Sequence, residues 1–202
     1  YETKYLKSIT NLKKIITIHP PTLKKIEKLN IKKNKERVNI IYVGRLSKEK
    51  GVDIILKALS YVKKKYNFQL KLIGEGPLKK KYKLLVERLK LDKNIIFIGN
   101  VKNVKKFYKN ADLFINASSF EGLPNAIVEA LNYGIPVICS NCPGGNMEVI
   151  QHGKSGTSFK VGDVHDLSKK IILYFEKPNF FKNKIRSNRN NLKNYLENKS
   201  NL

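Results

Sequence analysis

Two glutamates carry the clearest chemical signal in the chain. They are Glu121 and Glu129, eight positions apart in Ser118-Ser119-Phe120-Glu121-Gly122-Leu123-Pro124-Asn125-Ala126-Ile127-Val128-Glu129-Ala130-Leu131. Carboxylates accept hydrogen bonds and donate none, which suits them to ligands rich in hydroxyl groups. The stretch follows the apolar run Leu113-Phe114-Ile115 through a turn at Gly122. Pro124 stands where a helix takes its first residue, since its missing N–H is no loss there. Leu123, Ile127, Ala130 and Leu131 recur at helical spacing as a buried stripe, and Glu129 points away from it. Glu121 falls just before the helix, where unpaired N–H groups and the dipole favour a negative group. On these grounds alone Glu121 could be a dipole partner and Glu129 an exposed helix residue. A strand end feeding a helix N-terminus is, however, where open α/β sheets bind phosphorylated ligands.

Two cations join the glutamates as candidates. The apolar run Val38-Asn39-Ile40-Ile41-Tyr42-Val43 reads as a strand buried on both faces and leads into Gly44-Arg45, then Ser47-Lys48-Glu49-Lys50-Gly51. A guanidinium holds a diphosphate by a bidentate fork and an ammonium holds it as a point charge. Taken alone, Lys50 reads as part of a solvated basic loop, and Arg45 is the stronger candidate.

The elements that must position these residues alternate regularly. A helix with Val52, Ile55, Leu59 and Val62 on one stripe precedes a strand over Gln69–Ile73. The turn Gly74-Glu75-Gly76-Pro77 does not complete the G-x-G-x-x-G dinucleotide fingerprint. An amphipathic helix through Leu78, Tyr82, Leu85 and Leu89 leads to a strand over Ile95–Ile98, and a short helix from about Val104 to Lys109 leads to a strand over Asp112–Asn116. Gly134 stops the helix that carries Glu129, and a strand follows over Ile135–Cys139. Thr157-Ser158-Phe159 reads as the last strand, with a helix beginning at Asp163. This alternation predicts an α/β, Rossmann-like doubly wound parallel sheet. Residues 38–177 form that domain; 1–37 are a linker with the remnant of a preceding domain, including the β-like run Ile15-Ile16-Thr17-Ile18 before His19-Pro20-Pro21; 178–202 are a C-terminal helix and a flexible, Asn- and Lys-rich tail.

Glu121 through Glu129 resembles the E-x7-E motif of retaining glycosyltransferases of family 4, the glycosyl transferases group 1, which have the GT-B fold. Val43-Gly44-Arg45-Leu46-Ser47-Lys48-Glu49-Lys50-Gly51 and Gly134-Ile135-Pro136-Val137-Ile138 match the same family in the right order. The resemblance covers about Asn39 to Glu176 and corresponds to the family's C-terminal, donor-binding domain, one half of a GT-B fold. It implies that Arg45 and Lys50 stabilise the departing diphosphate and that Glu121 orients the donor sugar. It also implies that Glu129 binds the ribose, that the backbone at Val101 contacts the base, and that Gly44, Gly122, Leu123, Asn125 and Ala126 line the nucleotide site. Pro143-Gly144-Gly145-Asn146 resembles the Cys-Pro-x-Gly turn of bacterial members, many of which use UDP-N-acetylhexosamines. A UDP-linked hexose or N-acetylhexosamine is therefore the expected donor substrate, with transfer under retention to a glycan or lipid-linked acceptor in surface polysaccharide or lipopolysaccharide synthesis. No metal is expected, because the paired cations neutralise the diphosphate. In the family the acceptor site comes from an N-terminal domain, and the final helix crosses back to it, a role for which Phe180-Phe181 and Ile185 are the candidates. The fragment alone is accordingly expected to be inactive.

Composition adds bounds rather than identity. The 202 residues suffice for one domain of ordinary size, and Tyr1 as first residue with Met147 as sole methionine suggests a start inside a longer gene product. Net charge of +25 with a pI near 10.0 fits nucleic-acid binding, attraction to an anionic membrane, or an AT-rich genome. The lysines are dispersed without aromatic–basic interleaving, so nucleic acid is not the expected partner. Peripheral attachment to the cytoplasmic membrane's inner face fits the charge. No apolar run has the length of a membrane span. The two cysteines, Cys139 and Cys142, have C-x2-C spacing but no second ligand pair, and read as reduced cytosolic thiols. Two other readings remain: a truncated paralogue serving as a non-catalytic nucleotide-binding or interaction module, and a basic nucleic-acid-binding domain.

Overall fold

The computed structural model describes residues 22–28 and 36–196. The predicted run Ile15-Ile16-Thr17-Ile18 and His19-Pro20-Pro21 lie outside them. Six strands form one sheet: β1 (Val38–Val43), β2 (Phe68–Ile73), β3 (Ile95–Gly99), β4 (Leu113–Asn116), β5 (Val137–Ser140) and β6 (Thr157–Phe159). Their order is β3-β2-β1-β4-β5-β6 and every pairing is parallel. The helices between them are α1 (Val52–Val62), α2 (Lys79–Arg88), α3 (Lys105–Asn110), α4 (Asn125–Asn132), α5 (Asn146–Val149), α6 (Val164–Glu176) and α7 (Pro178–Asn188). Strand order reverses between β1 and β4, and in open parallel sheets that reversal opens a crevice at the carboxyl ends of the strands.

Strand alternation decides which residue enters which half of the core. Ile40 and Tyr42 of β1, with Leu113 and Ile115 of β4, pack on one face beneath α1, α2 and α6. Ile41 and Phe114 point the other way, against Tyr108, Ile127, Leu131 and Ile185. Both faces are covered, which is why these strands read as continuous apolar runs.

Three of the differences from the sequence reading have a clear local reason. Pro124, at φ −80° and ψ 74°, precedes α4 instead of opening it, and its carbonyl accepts from Ile127 (2.8 Å) and Val128 (3.2 Å). At the other end of α4 the Gly134 N–H donates to Leu131 and the Ile135 N–H to Ala130, with Gly134 at φ 72°. This paired helix stop consumes Ile135, so β5 begins only at Val137. The third difference is the tail. Arg189–Tyr195 is a 3-10 segment with Leu192 and Tyr195 buried, so the chain is packed as far as Leu196. Phe181 and Ile185, which the resemblance offers to an N-terminal domain, are buried in this domain's own two core layers, at 1% and 2% exposure; Phe180 is exposed.

Residues 22–28 run along α4. Thr22 Oγ1 donates to Asn125 Oδ1 (2.9 Å), Glu27 N to Asn132 Oδ1 (3.0 Å), and Asn132 Nδ2 to the Lys25 carbonyl (3.0 Å). Arg189 donates to the carbonyls of Glu27 and Asn132, the latter at 2.8 Å. The helix carrying Glu129 is thus tied at both ends to chain from outside the sheet.

Candidate active site

The crevice is built where the β1 and β4 ends meet. Gly51 has φ 62° and packs flush on the β4 end; a Cβ there would lie 2.1 Å from the Ala117 carbonyl oxygen. The Ser119 N–H donates to the Glu49 carbonyl at 2.8 Å, fastening the two loops together. The 3-10 turn Lys48–Lys50 thereby aims Lys50 at the residue before α4. Lys50 Nζ stands 2.8 Å from Glu121 Oε1, with the Lys50 side chain 26% and the Glu121 side chain 11% exposed. The cation that sequence alone assigns to a solvated loop is half of a largely buried ion pair.

Glu121 is held through one carboxylate oxygen and through its backbone. Its Oε1 also accepts from Ser118 Oγ (2.6 Å) and Asn116 Nδ2 (3.2 Å). Its N–H donates to the Pro143 carbonyl (3.2 Å) and its carbonyl accepts from Gly145 (3.2 Å). Gly144, at φ 108°, lies so close that a Cβ would sit 1.5 Å from the Glu121 carbonyl oxygen. The glycine turn after β5 therefore serves as the floor under Glu121.

Arg45 emerges from the same edge beyond Gly44, whose N–H extends the β1–β2 ladder to Ile73 (3.0 Å). Tyr42 Oη donates to the Arg45 carbonyl at 2.8 Å and fixes its backbone, while the side chain is exposed. The neighbouring Glu49 carboxyl lies below the usual carboxylate range, chiefly through the Ser47 hydroxyl, with Lys50 and Arg45 adding smaller effects. Gly122 is open on its Cβ side. Among the described residues the N–H groups of Gly122, Leu123 and Ala126 have no acceptor, so the turn after Glu121 carries free donors. The Asn125 N–H is occupied by the Leu123 carbonyl (2.9 Å) and its side chain by Thr22. Leu123, Ala126 and Val101 are half-buried against the core layer that holds Ile41 and Phe114. The loop that leads to Val101 reaches the same edge, because the Gly74 N–H donates to Gly99 at 2.9 Å.

Glu129 lies one turn into α4 and is half-buried. Burial raises its carboxyl above the usual range, opposed by the nearby Tyr108 hydroxyl. Tyr108 is itself buried, donates to the Ala126 carbonyl (3.3 Å) and stacks on Tyr133 at 5.4 Å between ring centroids. The Tyr108 proton goes to Ala126, so the half-buried acid is poised to gain donors from a ligand. Cys139 and Cys142 lie beneath the site as free, buried thiols, and burial pushes both thiols up.

Sequence reasoning missed Asn116 and Ser118, which bond Glu121, Asn146, which bonds Asn116, and Tyr108, which lies near Glu129. The available signal was weak: polar residues at the carboxyl ends of apolar strands, which in such sheets is the ligand edge.

The geometry can be set beside known proteins. The family model described as glycosyl transferases group 1 matches residues 24–198. An uncharacterized glycosyltransferase of Methanocaldococcus jannaschii is 34% identical over 158 residues, covering 72% of this chain and 38% of that protein. The lipopolysaccharide 1,6-galactosyltransferase of Escherichia coli is 32% identical over 135 residues, covering 64% of this chain and 37% of that protein. Among solved structures, Anabaena HepE in complex with UDP superimposes with a TM-score of 0.73 at 23% identity, over 80% of this chain and 45% of that one. The chain therefore spans less than half the length of these relatives. Its sheet is the Rossmann-like domain of a GT-B fold, and the chain belongs to the glycosyl transferases group 1 family.

Proposed function

We infer that this chain is the donor-binding half of a retaining glycosyltransferase that uses a UDP-linked hexose or N-acetylhexosamine. The observation that carries the reading is the convergence of Arg45, the Lys50–Glu121 pair and three free N–H groups on the β1/β4 crevice. The UDP named with HepE and the acceptor class in the name of the Escherichia coli relative support the choice of donor and of surface glycan synthesis.

The chemical problem in glycosyl transfer is the departure of a nucleoside diphosphate while an oxocarbenium-like sugar develops. Fixed positive charge on the departing phosphates lowers that barrier most in a water-poor cleft. Arg45 and Lys50 supply the charge, and the N–H groups at Gly122, Leu123 and Ala126 add aimed dipoles. Glu129 takes the ribose hydroxyls, the Val101 backbone faces the base, and Glu121 takes a hydroxyl of the donor sugar. Lys50 divides its ammonium between Glu121 and the diphosphate, so donor binding and sugar orientation are coupled through one side chain. The acceptor hydroxyl is positioned by a further domain, and transfer by this chain alone is negligible. The basic surface favours work beside an anionic membrane.

A thermal-shift panel of UDP-, GDP- and ADP-sugars tests the reading, since a ligand that binds only the native state raises apparent stability. UDP-sugars are expected to raise the midpoint, with the shift lost in Arg45→Ala and in Glu129→Ala. No shift with any nucleotide sugar, or a shift that survives both substitutions, contradicts it.

A further inference from the structure

Glu121 Oε1 receives three donors: Lys50 Nζ at 2.8 Å, Ser118 Oγ at 2.6 Å and Asn116 Nδ2 at 3.2 Å. A carboxylate oxygen offers about two lone-pair directions, so Oε1 is fully occupied. Among the described residues no donor reaches Oε2. The two oxygens therefore differ in kind, one sealed into the protein and one left over.

The sealed side is braced from behind. Asn116 Oδ1 accepts from the Ser118 N–H (3.2 Å) and from Asn146 Nδ2 (3.2 Å). Two donors on its carbonyl oxygen leave the Asn116 amide only one useful orientation, with its NH2 toward Glu121. Asn146 is in turn fixed by the Ser140 carbonyl (3.0 Å), and Ser140 Oγ donates to the Ser118 carbonyl (2.5 Å). Ser118, Ser140 and Asn146 are 0% exposed and Asn116 is 4% exposed, so the network is closed to bulk solvent. The chain also tolerates an unsatisfied acceptor here: Asn146 Oδ1 is buried without a partner. Buried acceptors are nearly always paired, and one kept in the network behind Glu121 calls for a reason beyond packing.

We propose that Asn116, Ser118 and Asn146 are positioning residues that lock Glu121 Oε1 so that Oε2 alone meets a hydroxyl of the donor sugar. The proposal rests on the reading of Glu121 as the sugar contact and names what sets its angle. Ser118 and Asn116 act directly on the carboxylate, whereas Asn146 acts one step back by orienting Asn116. The nucleotide half of the ligand touches none of the three.

Calorimetric titration of UDP and of UDP-glucose, with UDP-galactose and UDP-N-acetylglucosamine in parallel, separates the two halves. Ser118→Ala and Asn116→Ala should each weaken binding of the sugar nucleotide about tenfold, the share of one charge-assisted hydrogen bond. UDP affinity should change by a clearly smaller factor, because UDP meets the network only indirectly, through Lys50. Asn146→Ala should weaken the sugar nucleotide by a smaller factor. Equal losses for UDP and its sugar derivative, or no loss for either, overturn the proposal and mark the network as a brace for the fold. Crystal structures of wild type and Ser118→Ala give an answer that needs no ligand. Glu121 released from Lys50 into other rotamers in the variant supports the lock; an unchanged Glu121 overturns it. Wild-type protein that binds no nucleotide at all sinks the donor reading separately, and the crystallographic comparison still decides the lock.

Discussion

The turn before α4 and the middle of α4 each present a glutamate, and the two are prepared in opposite ways. Glu121 has one oxygen fixed before any ligand arrives, by an ion pair, a hydroxyl and an amide, above a glycine floor. Glu129 is half-buried near the Tyr108 hydroxyl, and its carboxyl is raised by burial. A carboxylate that must hold an angle is worth building in advance. One that must gain affinity from its ligand is better left short of donors. The difference fits an orienting task for Glu121 at the reacting sugar and a gripping task for Glu129 at the ribose.

The contrast can be broken most severely at Gly144. A side chain there meets the Glu121 carbonyl oxygen and must also adopt φ 108°. Gly144→Ala is expected to cost on the order of 3 kcal/mol in urea unfolding and to dislodge Glu121. A loss below about 1 kcal/mol would show that the floor yields easily and that Glu121 is not held by it.

A smaller effect sharpens the Glu129 side. Its folded-state carboxyl is raised, whereas in the unfolded chain it has the ordinary value of about 4.3. Above the raised value the folded protein carries a half-buried charge that disfavours folding, and that penalty disappears as pH falls through the carboxylate range. Glu129→Gln, which removes the charge and keeps the shape, should therefore raise the melting midpoint at about pH 8 and lose that gain toward about pH 4. The same variant should lose stabilisation by UDP. A gain of equal size at both pH values would mean that charge burial is not its source.

Much of this frame was legible in the sequence. Apolar runs such as Val38–Val43, alternating with helical stripes such as Val52, Ile55 and Leu59, fix the order of strands and helices, because buried parallel strands and amphipathic helices leave different periods. Glu121 and Glu129 stood out by their place at a strand–helix junction. The partners of Glu121 did not stand out. Asn116 and Asn146 are thirty positions apart, and each alone reads as a turn residue. Their meeting depends on β4 and β5 lying side by side, which local pattern does not encode. The tail misled for a related reason. Leu192 and Tyr195, three apart, are enough to dock a 3-10 segment on α4, but lysines and asparagines surround them and dilute the periodic signal.

The central claim is that one nucleotide spans the crevice from the end of β1 to the first turns of α4. An amide-resolved NMR titration of the chain with UDP tests it most directly. Shifts are expected together at Gly44, Arg45, Gly122, Leu123, Ala126 and Glu129, sharing one saturation curve. Shifts confined to one side of the crevice, or centred on the lysine-rich outer face of α2, would contradict the account.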